Sequence, residues 1–258
     1  MLRIALVQSD FRHLDKKNNL VHYDKLLTQF VSDEEVGLIV FPEMFNCGFS
    51  PEVAKDAETE DGESVDFLRE ISVRYGSDVV ATLPIIDGNN LFNRLLWVSS
   101  GEIKARYDKH YLFIGEEEYF EAGNAKCIVE TPVARFLPLI CFDVRFPEWS
   151  RNSVKDGVFD YDCLIYTANF PSPRESELVS LALARAIENQ SYVLVVNRVG
   201  VDGFGKKYSG GTFVADPHGE IEAILPFNEE GVLIHSCDFS SVKLLRNNFS
   251  VSKFWKRS

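Results

Sequence analysis

Apolar residues in this chain gather into short runs of strand length, each bounded by glycine, proline or charge. The runs at 2–8, 37–41, 78–84, 94–98, 103–107, 133–140, 162–168, 192–197, 211–215 and 231–237 read as strands. Helical spacing occupies 18–31, 63–75 and 147–155. A further helix is predicted to start at Ser172-Pro173-Arg174-Glu175 and run to about Gln190. Ser172 can cap it, Pro173 suits its first turn and Glu175 can complete a capping box. Helices and strands alternate over the first two thirds and strands dominate the last third, which predicts a layered α/β fold. Glycine-marked turns at 200–205 and at Asp216-Pro217-His218-Gly219 predict hairpins near the carboxyl end.

Composition narrows this picture. A chain of 258 residues, 45% hydrophobic, can bury roughly 70–75% of its unfolded surface in one core, so residues 1–258 are expected to form a single domain. The net charge of −12 argues against nucleic acid or an anionic membrane as partner, since neither is attracted to an acidic surface. The amino terminus enters a strand-like run directly, and no apolar stretch approaches membrane-spanning length. Five cysteines, an odd number without paired short spacings, fit neither a disulfide framework nor a zinc site. A cytoplasmic protein in a reducing compartment is expected.

Candidate chemistry lies where strand runs end. Cys141 closes the run at 133–140, Glu43 follows 37–42, and Lys109 follows 103–107. Singly these mean little, because free cysteine is commonly core and most carboxylates and ammonium groups are solvated. Together, a thiol, a carboxylate to take its proton and an ammonium to hold negative charge are the ingredients of a nucleophilic amidase. Cys47, Cys127, Cys163 and Cys237 are read as structural. His110 is a rival base, but it follows Lys109 in or beside a strand, where successive side chains face opposite ways.

The segments Phe41-Pro42-Glu43-Met44-Phe45, Tyr107-Asp108-Lys109-His110-Tyr111-Leu112-Phe113 and Ile140-Cys141-Phe142-Asp143-Val144-Arg145-Phe146-Pro147 resemble, in order, the three active-site blocks of the nitrilase (carbon-nitrogen hydrolase) superfamily. The likeness extends through 169–174, 184–193 and 197–200, and within the superfamily it leans to the omega-amidase branch. That resemblance implies a four-layer αββα sandwich, commonly dimeric through a helical layer. It implies hydrolysis of the terminal amide of 2-oxo acid amides such as 2-oxoglutaramate and 2-oxosuccinamate, with water as co-substrate and no metal or organic cofactor. By the same likeness Cys141 is the nucleophile, Glu43 the base, and Lys109 with the Phe142 N–H the oxyanion stabilisers. A supporting glutamate matches Glu116, with Glu117 and Glu118 beside it as alternatives.

Phe170 and Leu178 stand where the branch often has tryptophan, and Tyr111 and Glu117 where it often has histidine, differences that bear on substrate rather than reaction class. Arg145, four residues past the thiol, is a candidate for the substrate's far carboxylate, although an arginine between Asp143 and Glu148 is more often a structural partner. Phe45, Phe113 and Phe170 are candidate pocket walls. A carbamoyl amino acid amidase or deaminated glutathione amidase is the runner-up, and a non-catalytic amide-binding protein is the reading from another class. The tail at 250–258 is expected to pack against a partner subunit, since Phe254 and Trp255 are costly to expose.

Overall fold

The computed structural model describes residues 1–32, 34–50 and 52–255. The chain enters β1 (Leu2–Gln8), crosses by α1 (Lys16–Phe30) to β2 (Leu38–Val40) and by α2 (Glu63–Tyr75) to β3 (Asp78–Asp87). Both crossovers return parallel, placing Ile4 beside Leu38 and Leu38 beside Asp78. β4 (Asn90–Ser99) and β5 (Glu102–Asp108) fold back antiparallel. The second sheet takes β6 (Val129–Glu130), β7 (Arg135–Ile140), then, past α3 (Pro147–Ser150) and a hairpin of β8 (Val154–Lys155) with β9 (Val158–Phe159), β10 (Cys163–Thr167). α4 (Glu175–Asn189) crosses to β11 (Tyr192–Val196). The hairpin of β12 (Val199–Val201) with β13 (Lys207–Ser209) precedes β14 (Phe213–Ala215) and β15 (Ile221–Ile224). β16 (Gly231–Cys237) rejoins the first sheet beside β1, and α5 (Phe239–Asn248) follows. The strand orders are β16-β1-β2-β3-β4-β5 and β15-β14-β11-β10-β7-β6.

The alternation within each strand divides the core into layers. In β1, Ile4 and Leu6 point to the second sheet, while Ala5 and Val7 point to the Leu20, Tyr23 and Leu27 face of α1 and the Val65, Leu68 and Ile71 face of α2. Trp97 of β4 meets Phe136 of β7 between the sheets, ring centroids 5.3 Å apart. α4 presents the buried stripe Leu178, Ala182 and Ala186, one residue per helical turn, to the second sheet. This is the αββα sandwich that the resemblance implies. α2 spans the predicted residues, with Glu63 and Asp66 in its first turn and Gly76 left-handed at its end (φ 61°).

Three expectations are corrected. The helix predicted over 147–155 stops at Ser150, where Arg151 leaves helical geometry (ψ 124°), and 154–155 instead form β8, turned back onto β9 by Asp156 and Gly157, both of positive φ (52° and 80°). α4 starts at Glu175 after a single tight turn over 172–174, and the Ser172 side chain caps nothing. α5 lies in a region read as strand-rich, capped by the Asp238 carboxylate, which accepts the Ser240 N–H at 3.0 Å. In the tail, Trp255 packs on Phe159 (5.9 Å) while Phe254 is 87% exposed, and residues 256–258 of that expected packing segment lie outside the described residues. Among the described residues no helix is long and apolar enough to cross a membrane.

Candidate active site

β2 and β5 in the first sheet, and β7 and β10 in the second, all end at the same edge of the sandwich, and the chemistry-bearing residues stand just past those ends. Glu43 follows β2 in a tight turn in which Met44 has positive φ (53°) and its N–H donates to Thr82 Oγ1 at 2.8 Å. The Glu43 N–H donates to the Ala168 carbonyl past β10 (3.3 Å), tying the two sheets together at this edge. Cys141 follows β7 with φ 43°, left-handed for a residue with a side chain, at the start of a tight turn over Cys141–Arg145. Such a conformation costs about 1–3 kcal/mol and is held by its surroundings. Here the holder is Asp143, fully buried, whose carboxylate accepts from the Ile140 N–H (3.0 Å), the Tyr111 N–H (2.9 Å) and the Tyr107 hydroxyl (2.7 Å). One carboxylate thus fixes both the Cys141 turn and the segment after Lys109.

Lys109 is 1% exposed and its ammonium lies between two buried carboxylates, 2.8 Å from Glu43 Oε1 and 2.8 Å from Glu116 Oε2. Asn93 Nδ2 donates to Glu43 Oε1 (2.9 Å) and the Phe113 N–H to Glu116 Oε2 (2.5 Å), so each carboxylate has a second neutral donor. Burial opposes the Lys109 charge, but Glu116 and Glu43 outweigh it and hold the ammonium's pKa well above its ordinary value. Burial raises the Glu116 carboxyl against the pull of Lys109. Of the three consecutive glutamates only Glu116 points inward. Glu117 and Glu118 are exposed, Glu117 accepting from the Gly115 N–H. The loop closes at Gly123, where any Cβ would lie 2.1 Å from the Asp108 carbonyl and where the N–H donates to the Lys109 carbonyl (2.9 Å).

Burial and the Glu43 charge push the Cys141 thiol well above 9.0, with Lys109 pulling the other way. At neutral pH the thiol is therefore protonated, and a nucleophilic role for it would require a base. The first N–H groups of its turn, Phe142 among them, have no partner within the turn. Glu43, Lys109, Glu116, Cys141 and Phe142 line one pocket, with Phe113 and Phe170 as walls.

Arg145 does not line that pocket. It pairs with Glu177, and its guanidinium carbon lies 5.7 Å over the Phe142 ring. Phe45 packs in the core against Tyr23 and Phe41. His110 stacks on Trp149 (3.6 Å between centroids) with Nδ1 at the Gly123 carbonyl, away from the thiol's pocket. Four polar lining residues, Asn169, Arg174, Lys206 and Tyr208, carry no site signal in the sequence, and neither do the apolar Phe49 and Pro171. Asn169 and Arg174 lie inside the matching segment 169–174, but nothing in their type or spacing separates a pocket residue from a helix-start residue. Lys206 and Tyr208 sit on the β12–β13 hairpin, which only the tertiary fold brings here.

The comparisons with known proteins agree with this geometry. The family model described as carbon-nitrogen hydrolase matches residues 3–247. An omega-amidase, YafV, of Yersinia enterocolitica is 40% identical over 224 residues, 86% of this chain and 84% of that protein. A 2-oxoglutaramate amidase of Bacillus subtilis is 29% identical, covering 96% of this chain and 95% of its own length. The crystal structure of XC1258 from Xanthomonas campestris, a CN-hydrolase superfamily protein with an arsenic adduct in its active site, superposes with a TM-score of 0.95 at 33% identity over 100% of this chain and 98% of that one. The matched length, the shared sandwich and the strand-end site lead to one conclusion: the chain belongs to the carbon-nitrogen hydrolase family.

Proposed function

We propose that this hydrolase releases ammonia from the terminal amide of small 2-oxo dicarboxylic acid monoamides, 2-oxoglutaramate and 2-oxosuccinamate. The carrying observation is the buried Glu43–Lys109–Glu116 cluster sharing one pocket with a thiol on a strained turn. Glu43 takes the Cys141 proton as sulfur bonds to the amide carbon, and the carbonyl electrons move onto oxygen. Lys109 and the Phe142 N–H stabilise that oxyanion, each good donor contributing about 3–4 kcal/mol in the transition state. The C–N bond then breaks, Glu43 passes its proton to the departing nitrogen, and ammonia leaves a thioester on Cys141. Water gives a proton to Glu43, adds to the thioester carbon and expels the thiolate, which recovers the proton from Glu43. Glu116 keeps Lys109 charged and in place throughout. The substrate class is supported by the likeness to an omega-amidase and a 2-oxoglutaramate amidase.

The test is ammonia release from both oxo amides, with glutamine, an aliphatic nitrile and an N-carbamoyl amino acid as comparators. Turnover of the oxo amides and of none of these comparators is expected; turnover confined to a comparator would reject the substrate class. We also propose a homodimer through the helical layer, and light scattering giving the mass of a single chain would contradict that.

A further inference from the structure

Most arginines deep in this acidic chain already have an anion. Arg94 contacts Asp108, Asp87 and Glu60; Arg185 contacts Glu188; Arg198 contacts Asp10; Arg246 contacts Asp162. Arg174 differs. It closes the tight turn before α4, half-buried, with its guanidinium carbon 4.9 Å over the Phe113 ring and 5.4 Å over the Phe170 ring, and among the described residues no carboxylate lies within 4.0 Å of it. Two aromatic faces hold the guanidinium plane in the pocket while leaving its N–H edge without an acidic partner.

A second, independent feature points to a ligand at the same place. Asn169 is 8% exposed, lines the pocket, and has both its amide nitrogen and its amide oxygen without a hydrogen-bond partner in the protein. A buried amide with neither atom satisfied is destabilising unless something else bonds to it. The electrostatics set the direction in which an acid amide enters. The floor around Cys141 has two buried carboxylates against one ammonium, so a substrate carboxylate is repelled there. The other wall offers Arg174 and, on the β12–β13 hairpin, the exposed Lys206.

We infer that Arg174 recognises the far carboxylate of the substrate, with Asn169 as its buried hydrogen-bonding companion, and that this pair sets the preference for acid amides over neutral ones. The inference rests on the proposed acid-amide reading and assigns its specificity to a residue outside the Glu43–Lys109–Cys141 machinery. It also moves the role from Arg145, whose guanidinium is engaged by Glu177.

The experiment compares kcat/KM for 2-oxoglutaramate with that for valeramide, a neutral amide of the same chain length, in the wild type, Arg174→Gln, Arg174→Lys and Arg145→Gln. Arg174→Gln is expected to lose about 100-fold on the acid, mainly through KM, and to stay within about threefold on the neutral amide. Arg174→Lys keeps the charge without the two-pronged geometry and is expected to lose about 10-fold. Turnover of the neutral amide reports folding, and if Arg174→Gln does not fold, the lysine variant decides. A wild type that prefers the acid while both Arg174 variants retain that preference would overturn this inference and leave the proposed function standing. Loss of the preference in Arg145→Gln alone would do the same. A wild type with no preference for the acid would overturn both.

Discussion

At the residue scale the state of Cys141 decides how the site works. With its pKa raised above 9.0 by burial and the neighbouring Glu43 charge, the thiolate fraction grows with pH through the neutral range. The alkylation rate of Cys141 by iodoacetamide, followed by peptide mass, is expected to climb about tenfold per pH unit from about pH 7 to pH 9. A plateau already reached at neutral pH would mean a preformed thiolate and contradict the assignment of Glu43 as base. Lys109→Met should abolish turnover and also destabilise the fold by about 3–5 kcal/mol in urea unfolding, because it leaves Glu43 and Glu116 buried without their common cation. A stable but inactive variant would show that the cation is needed for chemistry alone. Glu43, Lys109 and Cys141 were legible because each ends a recognisable strand run. Asn169 and Arg174 were not, since what marks them is a missing partner, which only coordinates display.

At the element scale, the turns govern where side chains arrive. Gly123 allows the 113–123 loop to lie against the exit of β5, and Gly123→Ala would force its Cβ into the Asp108 carbonyl 2.1 Å away. The variant is expected to lose at least about tenfold in kcat, as Lys109 is displaced, with a lower Tm. Wild-type kinetics in it would show that the loop does not position Lys109. Helix starts give a paired test. Asp238→Ala removes a made cap and should cost about 1 kcal/mol, whereas Ser172→Ala removes none and should stay within about 0.5 kcal/mol. Equal costs in thermal unfolding would contradict the observed caps. The capping-box pattern at 172–175 misled because a proline turn intervenes before α4. The Asp156-Gly157 pair, by contrast, held a hairpin signal that the helical spacing of 147–155 obscured.

At the scale of the whole molecule, both sheets and α4 share one apolar cluster, so the chain is expected to unfold in a single calorimetric transition, and two separated transitions would contradict a single domain. The layered α/β class was readable from the alternation of apolar runs, because strands buried on both faces stay apolar throughout. Which strands pair, and that β16 returns to the first sheet beside β1, was not, since that pairing joins the two ends of the chain. A separate long-range contact, the Val199 N–H donating to the Ser9 carbonyl past β1 (3.2 Å), ties down the β12–β13 hairpin, whose Lys206 and Tyr208 line the pocket of Cys141. If Cys141 forms a thioester with the acyl part of an acid amide, acid-quenched mass spectrometry during turnover of 2-oxoglutaramate will trap it. An acyl adduct mapped to the Cys141 peptide is expected in the wild type, and in Cys141→Ala both the adduct and ammonia release are expected to be absent. Ammonia release that persists in Cys141→Ala would contradict a Cys141 thioester.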